Sequence, residues 1–327
     1  MRLAIVKLSA LGDIIHASFL PQFIKNYTKG ITIDWFIDER FEEILQYNPY
    51  IDNIISLKLK QNKKLKEIKK IFSYKNSYDM VLDLQGLIKS ALISKILGKS
   101  YGFDKNSARE KAASFLYHKK FYIPYEKNVI FRNFELAKNS LKIDMDTNIL
   151  YSKKPSLYYP KKSEENIKKY LSNRKKNIIL IMGSSWESKV YPKEKFLNIV
   201  KKIDAHFLLS WGSKKEKNSA DFILQNSSNT TMLPKTNLND LKALISNSDL
   251  IIGADSGPTH MAWALNKPSI TIFGPTPSNR NTLKTKINLT VDCNKTINPL
   301  KLNKDDFCIR TITEETIIKK ATRLLNG

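Results

Sequence analysis

Short apolar runs alternate along this chain with stretches in which apolar residues recur every three or four positions, so strands and amphipathic helices follow one another in turn. In the first half the pattern predicts strands at 2–8, 31–37, 51–57 and 78–84, with helices at 13–27, 39–47, 63–74 and 87–97. Further helices are expected at 107–117 and 128–141, and the stretch 144–162, rich in Lys, Pro and Tyr, reads as a linker. After a helix at 163–171 the alternation restarts. Strands are expected at 177–182, 205–211, 230–233, 249–252 and 269–273, and helices at 192–203, 214–224, 238–247 and 257–265. Regular alternation of this kind argues for doubly wound parallel sheets. The expected fold class is α/β, with two Rossmann-like α/β/α domains, 1–155 and 156–327, facing a central cleft, and with the last helix packing back on the first domain.

A length of 327 residues, 42% of them apolar, can fill two cores. The longest apolar runs are strand-sized, far below the roughly 20 residues that span a bilayer. Asp13 follows the first apolar stretch too soon for a signal-peptide core, so a cytoplasmic location is expected. Cys293 and Cys308 show no CxxC and no His at ligand spacing, so neither a zinc site nor a disulfide framework is indicated and free thiols are the expectation.

The formal charge of +24 implies an anionic partner or surface, although a lysine-rich composition accounts for part of the excess without any function. The cations are nearly all lysine. No zinc finger, RNP strand, KH loop or basic zipper is present, and Arg, the base-reading residue, is scarce, so nucleic acid is not expected. Lysines gather between Leu57 and Phe72, where Lys63, Lys64, Lys66 and Lys70 lie among seven cations opposed by Glu67 alone. Leu65, Ile68, Ile71 and Phe72 recur at helical spacing, so this segment reads as a helix with a cationic outer face. Such a face is either simply solvated or an anchor for anionic headgroups.

Candidate chemistry sits at two strand exits. Lys7-Leu8-Ser9-Ala10-Leu11-Gly12-Asp13 closes the first strand and opens a helix, and Gly253-Ala254-Asp255-Ser256-Gly257-Pro258-Thr259-His260 does the same far downstream. Each places a carboxylate, a glycine and small hydroxyls where open α/β sheets bind ligands. Neither GxGxxG nor GxxxxGK[ST] occurs, which removes the usual support for hydride transfer and P-loop chemistry.

The segments Lys7 to His16, Asp83-Leu84-Gln85-Gly86-Leu87-Ile88-Lys89-Ser90 and Asp255 to His260, with Ala108-Arg109-Glu110, Trp211-Gly212 and Phe273-Gly274-Pro275-Thr276, resemble those of bacterial lipopolysaccharide heptosyltransferases in the same order. The resemblance runs through nearly the whole chain. It implies a GT-B fold, an ADP-heptose donor, a Kdo-lipid A acceptor, inversion at the anomeric carbon, no cofactor and no required metal. It also implies a place at the inner leaflet of the cytoplasmic membrane, against an anionic surface.

Sugar transfer needs an activated acceptor hydroxyl and a stabilised diphosphate leaving group. Asp13 either caps the helix it begins or serves as general base, and the resemblance assigns the base. Ser184, Ser185, Lys189, Ser256 and Gly257 form a candidate diphosphate cradle of hydroxyls, a cation and helix-end amides. By resemblance, Lys189 contacts the donor phosphate, Glu216 grips the ribose hydroxyls, and Asp255 lies near the heptose. His260 supports the donor site or is structural. Lys7, Lys89, Arg109 and Arg132 match basic positions turned toward the acceptor's carboxylates and phosphates. Asn128 stands where the family carries a histidine. Asp144-Met145-Asp146 spells a metal-binding DxD triplet, but it falls in the linker with no strand to aim it.

Two other readings remain: a relative with a different acceptor or nucleotide-sugar, and a non-catalytic polyanion-binding module.

Overall fold

The computed structural model describes residues 1–59 and 64–326, and the chain divides into two compact units, Met1–Tyr158 and Tyr159–Gly327. The first contains β1 (Arg2–Val6), β2 (Thr32–Asp38), β3 (Asn53–Leu57), β4 (Tyr78–Asp83), β5 (Gly98–Phe103) and β6 (Lys119–Phe121). All pair in parallel, in the order β3-β2-β1-β4-β5-β6. Around them lie α1 (Leu11–Ile15), α2 (Leu20–Tyr27), α3 (Lys64–Phe72), α4 (Ile88–Leu97) and α5 (Val129–Leu141). The chain steps one way from β1 to β3 and the other way from β3 to β6, so right-handed crossovers put the two sets of connections on opposite faces. Accordingly α2 packs with α5, and α3 packs with α4.

Alternation along β1 serves both faces at once. Ala4 and Val6 join Phe36, Tyr78, Ile71 of α3 and Ile93 and Leu97 of α4 in one buried cluster. Leu3 and Ile5, equally buried, point the other way. Phe19, Phe23 and Phe134 are also fully buried or nearly so and meet edge to face, with centroids 5.4 and 6.4 Å apart. Each such ring withdrawn from water is worth about 1.5–3 kcal/mol.

The second unit repeats the plan. Strands β7 (Asn177–Ile181), β8 (His206–Ser210), β9 (Thr230–Met232), β10 (Leu250–Ala254), β11 (Ser269–Phe273) and β12 (Asn288–Asp292) form a parallel sheet in the order β12-β11-β10-β7-β8-β9. Its helices are α6 (Lys161–Lys168), α7 (Lys193–Lys202), α8 (Lys214–Gln225), α9 (Leu238–Ser246), α10 (Gly257–Ala264), α11 (Ser278–Asn281) and α12 (Glu314–Asn326). The terminal helix, expected on the first domain, packs on α7 and β10 to β12 through Ile317 and Ala321.

Several expectations change. The helix expected at 13–27 is two, α1 and α2, with Pro21 in the first turn of α2, where its missing N–H costs nothing. The segments Glu39–Ile44 and Lys111–Leu116 are short 3-10 turns. Strands β5, β6 and β12 were not expected. Lysines, glycines and Asn interrupt their apolar pattern, and β6 and β12 are edge strands with a single neighbour. Of the apolar residues assigned to the inner face of α3, only Ile71 is buried, while Leu65, Ile68 and Phe72 are exposed. Glu67 is buried instead and accepts the Lys58 N–H at 2.9 Å, tying the helix to the exit of β3. Cys293 and Cys308, expected as free thiols, are joined in a disulfide, because the fold brings their Cα atoms to 5.8 Å.

Candidate active site

In each sheet the strand order reverses at one point, between β1 and β4 in the first and between β7 and β10 in the second. Ligands of open α/β sheets bind beyond strand exits at such points. In the first domain Val6 is level with Phe36 and Asp83, so β1 and β4 end together while β2 runs on to Asp38. Asp83 is buried and organises the β4 exit. One carboxylate oxygen accepts the Gln85 and Gly86 N–H groups at 2.8 and 3.2 Å, and the other accepts the Tyr117 hydroxyl at 2.9 Å. Burial pushes its carboxyl above the ordinary value against these bonds. Gly86 turns the chain at φ +68°, a conformation that favours glycine.

The turn so formed grips the β1 exit twice. Gln85 Oε1 accepts the Leu8 and Ser9 N–H groups at 3.1 and 3.3 Å, and Lys7 Nζ donates to the Leu84 carbonyl at 2.9 Å. Ala10 then begins α1, and Asp13, at its third position, accepts the Ala10 N–H through Oδ2 at 3.3 Å. Both expected functions of Asp13 are therefore compatible. One oxygen closes the helix end, the other has no partner among the described residues, and the residue is half-exposed.

The basic residues assigned to the acceptor divide into two groups. Lys89, second in α4, and Arg109, beside the Gly86 turn, are exposed. Lys89 also acts on Asp38 at the β2 exit. Burial would raise that carboxyl, but Arg40, bonded to it at 2.8 and 2.7 Å, holds it below the ordinary value, and the charge of Lys89 adds to the effect. Lys7 and Arg132 depart from expectation, since both are buried. Lys7 braces the two exit loops. Arg132 donates to the Ser107 carbonyl at 2.5 Å and stacks against Phe103 and Tyr125 at 4.4 and 4.9 Å. Asn128 caps α5 by accepting the Ile130 N–H at 2.9 Å.

The second domain gathers its candidates more tightly. Ile181 is level with Gly253 on one side and Ser210 on the other, which aligns the exits of β7, β10 and β8. Asp255 is the hub. Lys189 Nζ lies 2.8 Å from Oδ2, His260 Nε2 2.8 Å from Oδ1, and the Thr276 hydroxyl donates to Oδ2 at 2.7 Å. Burial alone would raise the Asp255 carboxyl, but Lys189 first and His260 next hold it far below the ordinary range. The Ser184 hydroxyl donates to the Asp255 carbonyl at 2.9 Å, drawing the β7 exit loop onto the start of α10. There Ser256, at the N-cap, and Gly257 are half-exposed, and Ser185 is exposed.

Two refinements follow. Lys189 is not an isolated cation, because its charge is matched by Asp255. Asp255 in turn is bonded to Lys189, His260 and Thr276, and so holds the three together.

Glu216 stands at the β8 exit, in the first turn of α8. Its carboxylate accepts the Gly212 N–H at 2.6 Å and the Ser213 hydroxyl at 3.0 Å, while Ser213 Oγ accepts the Glu216 N–H in return. The same carboxylate lies directly over Gly183, where an added Cβ would come within 2.2 Å of Glu216 Cδ. The second domain thus places a half-exposed carboxylate on one side of the β7 exit and a helix start with a paired lysine on the other.

Gln85, Gly183, Thr276 and Asn281, whose amide reaches Asp255 at 3.4 Å, were not identified as site residues from sequence. The Asp83 to Gly86 and Phe273 to Thr276 motifs flagged two of the places without assigning roles. Lys66 and Lys70 are exposed on α3, and Lys70 Nζ donates to the Ser56 carbonyl at 2.6 Å. Lys63 and the side chain of Lys64 lie outside the described residues. Of the DxD triplet, Asp146 caps the 3-10 turn Thr147–Tyr151 by accepting the Asn148 N–H, and Asp144 is open to solvent 3.4 Å from Lys138.

Two doubly wound domains, each with polar groups gathered beyond its own switch point, have the arrangement in which open α/β sheets bind ligands. The family model for glycosyltransferase family 9 (heptosyltransferase) matches residues 68–305, and the chain belongs to that family. It is 43% identical to lipopolysaccharide heptosyltransferase 1 of Campylobacter coli, over 99% of both chains. Its fold is similar to that of the E. coli heptosyltransferase WaaC with ADP, with a TM-score of 0.80 at 21% identity over 99% of this chain and 100% of that one. It is also similar to E. coli ADP-heptose lps heptosyltransferase II, with a TM-score of 0.79 at 18% identity over 100% and 99%.

Proposed function

We propose that this chain transfers L-glycero-D-manno-heptose from ADP-heptose to a Kdo residue of Kdo-lipid A, with inversion and without a metal, in building the lipopolysaccharide inner core. The observation that carries this reading is the convergence, at one switch point, of the Lys189-Asp255-His260-Thr276 knot, the start of α10 and Glu216 over Gly183. That set suits a nucleoside diphosphate: Glu216 for the ribose hydroxyls, and Lys189, Ser184, Ser185 and the amides at Ser256 and Gly257 for the diphosphate.

In the reaction Asp13 takes the proton of the acceptor hydroxyl as its oxygen attacks the anomeric carbon. The bond from that carbon to the diphosphate oxygen breaks, and ADP departs carrying the electron pair. A single displacement of this kind inverts the centre. Charge grows on the leaving oxygen, where a fixed cation and helix-end amides stabilise it as a metal does elsewhere. Lys89 and Arg109, the exposed pair, meet the acceptor's anionic groups. No helix among the described residues is long and apolar enough to cross a membrane. The acceptor is lipid-borne, so the reading places the protein peripherally at the cytoplasmic face of the inner membrane, with Lys66 and Lys70 toward anionic headgroups.

The test is a turnover assay with ADP-heptose and Kdo-lipid A, read by product mass. One added heptose supports the reading, and none, with ADP bound, refutes it. Similarity to heptosyltransferase II keeps a second acceptor in view, and a parallel reaction on already heptosylated Kdo-lipid A separates the two. A polyanion-binding module would bind lipid without transfer, and Asp13→Ala would leave that binding unchanged.

A further inference from the structure

The crossovers from β3 to β4, β4 to β5 and β5 to β6 all step in one direction across the first sheet, so right-handedness places α3, α4 and the 3-10 turn Lys111–Leu116 on the same face. They lie side by side, α3 against α4 and α4 against the turn. Each turns large apolar side chains outward. Leu65 is 78% and Phe115 76% exposed, and Ile68, Phe72, Ile88 and Leu92 lie between 42 and 49%. Buried anchors hold the same elements to the domain: Ile71 in α3, Ala91, Ile93 and Leu97 in α4, and Ala113 in the turn. The outward residues are therefore not the core side of these elements but a second apolar face, uncovered among the described residues.

The three elements also carry seven lysines against one acid, Glu67. Glu67 is buried on the Lys58 N–H. Lys66, Lys69, Lys89, Lys95 and Lys111 are exposed around the apolar residues. Aliphatic and Phe side chains ringed by lysine fit an anionic lipid surface, with the apolar groups entering the acyl boundary and the ammonium groups remaining among the headgroups. A second copy of this chain fits poorly, since a two-fold contact would oppose lysine to lysine.

We infer that this face is a membrane-docking surface that inserts Leu65, Ile68, Phe72, Ile88, Leu92 and Phe115 into an anionic leaflet, beyond electrostatic attraction by the α3 lysines alone. It deepens the proposed function and rests on it in one respect: the acceptor is taken to be lipid-borne. The face begins beside the acceptor-side groups, because Lys89 lies in α4 and Arg109 two residues before the turn. Docking therefore delivers a membrane-held acceptor to the loops around Gly86.

The test is co-sedimentation of the full chain with phosphatidylcholine vesicles, with and without phosphatidylglycerol, at low and high salt. The wild type binds the anionic vesicles, and raised salt weakens the binding without abolishing it. Leu65→Ser/Phe72→Ser/Phe115→Ser, substituting only exposed positions, keeps cooperative unfolding and binds about tenfold more weakly or worse. Phe115→Trp shifts its emission to the blue on adding vesicles. Equal binding by wild type and triple variant, or an unshifted Phe115→Trp, overturns the inference, and the Trp readout decides alone if the triple variant does not fold. A wild-type dimer that the triple variant converts to monomer assigns the face to self-association and likewise overturns it. Turnover on a water-soluble, acyl-free Kdo acceptor separates the two claims. Its absence with vesicle binding intact sinks the transferase reading alone, and its presence with vesicle binding unaffected by the triple variant sinks the docking face alone.

Discussion

Replacing Gly183 by alanine tests how the second domain aims its carboxylate. The new Cβ would lie 2.2 Å from Glu216 Cδ and 2.3 Å from Oε1, where an ordinary contact is 3.4–4 Å, so the carboxylate must retreat by about 1.2 Å. That retreat breaks the bonds from Gly212 N–H and the Ser213 hydroxyl. The carboxylate is half-exposed, so their loss costs about 1–2 kcal/mol of domain stability in all. The clash is with the end of a flexible side chain, and the fold survives. ADP binding changes more: if Glu216 grips the ribose, misplacing a charged hydrogen-bond partner raises Kd about ten- to a hundredfold. Calorimetric titration with ADP measures this for wild type, Gly183→Ala, Glu216→Ala and the double variant. The two effects should not add, because Gly183→Ala acts only through Glu216, and in the Glu216→Ala background it should change Kd by less than about twofold. Additive losses, or wild-type affinity in Gly183→Ala, would refute the reasoning.

Other consequences are equally open to measurement. Transfer activity should survive EDTA, and a loss restored by Mn²⁺ would contradict the metal-free mechanism. The Asp255 carboxyl is held below its ordinary 3.8, so its contribution to stability is present above that pH and is lost as pH falls below it. Asp255→Asn should lose about 3–5 kcal/mol at neutral pH by leaving Lys189 buried and unmatched, with a shallower acid slope in urea unfolding. An unchanged slope would assign the acid sensitivity elsewhere. Arg132→Met should lose about 2–4 kcal/mol through its stacking and hydrogen bonds, with KM for the acceptor unchanged. A raised KM with stability intact would restore Arg132 to the acceptor site.

The central strands were legible in sequence because they are buried on both faces and read as unbroken apolar runs, as in Leu3 to Val6 and Ile178 to Ile181. Edge strands such as β6, of sequence Lys-Lys-Phe, carry no such signal. Two-domain α/β architecture followed from alternation, whereas the roles of Asp13, Lys189 and Glu216 came from family likeness. Residue type and position could not tell buried cations from exposed ones, and so Lys7 and Arg132 were grouped with Lys89 and Arg109. Helical spacing likewise identified an apolar stripe on α3 but not that, among its described side chains, Ile71 and Glu67 are the ones that turn inward. The contacts of Gln85 with Leu8 and Ser9, of Gly183 with Glu216 and of Thr276 with Asp255 join residues distant in sequence or invisible to spacing rules. They exist only once parallel strands end level.

The most direct test of the account is single-turnover transfer by Asp13→Asn, with donor affinity measured on the same protein. Asparagine keeps an oxygen for the Ala10 N–H but cannot accept the acceptor's proton. The expected result is a rate about 10²- to 10⁴-fold lower with ADP affinity and cooperative unfolding unchanged. Wild-type transfer by this variant would contradict the assignment of Asp13 as the base.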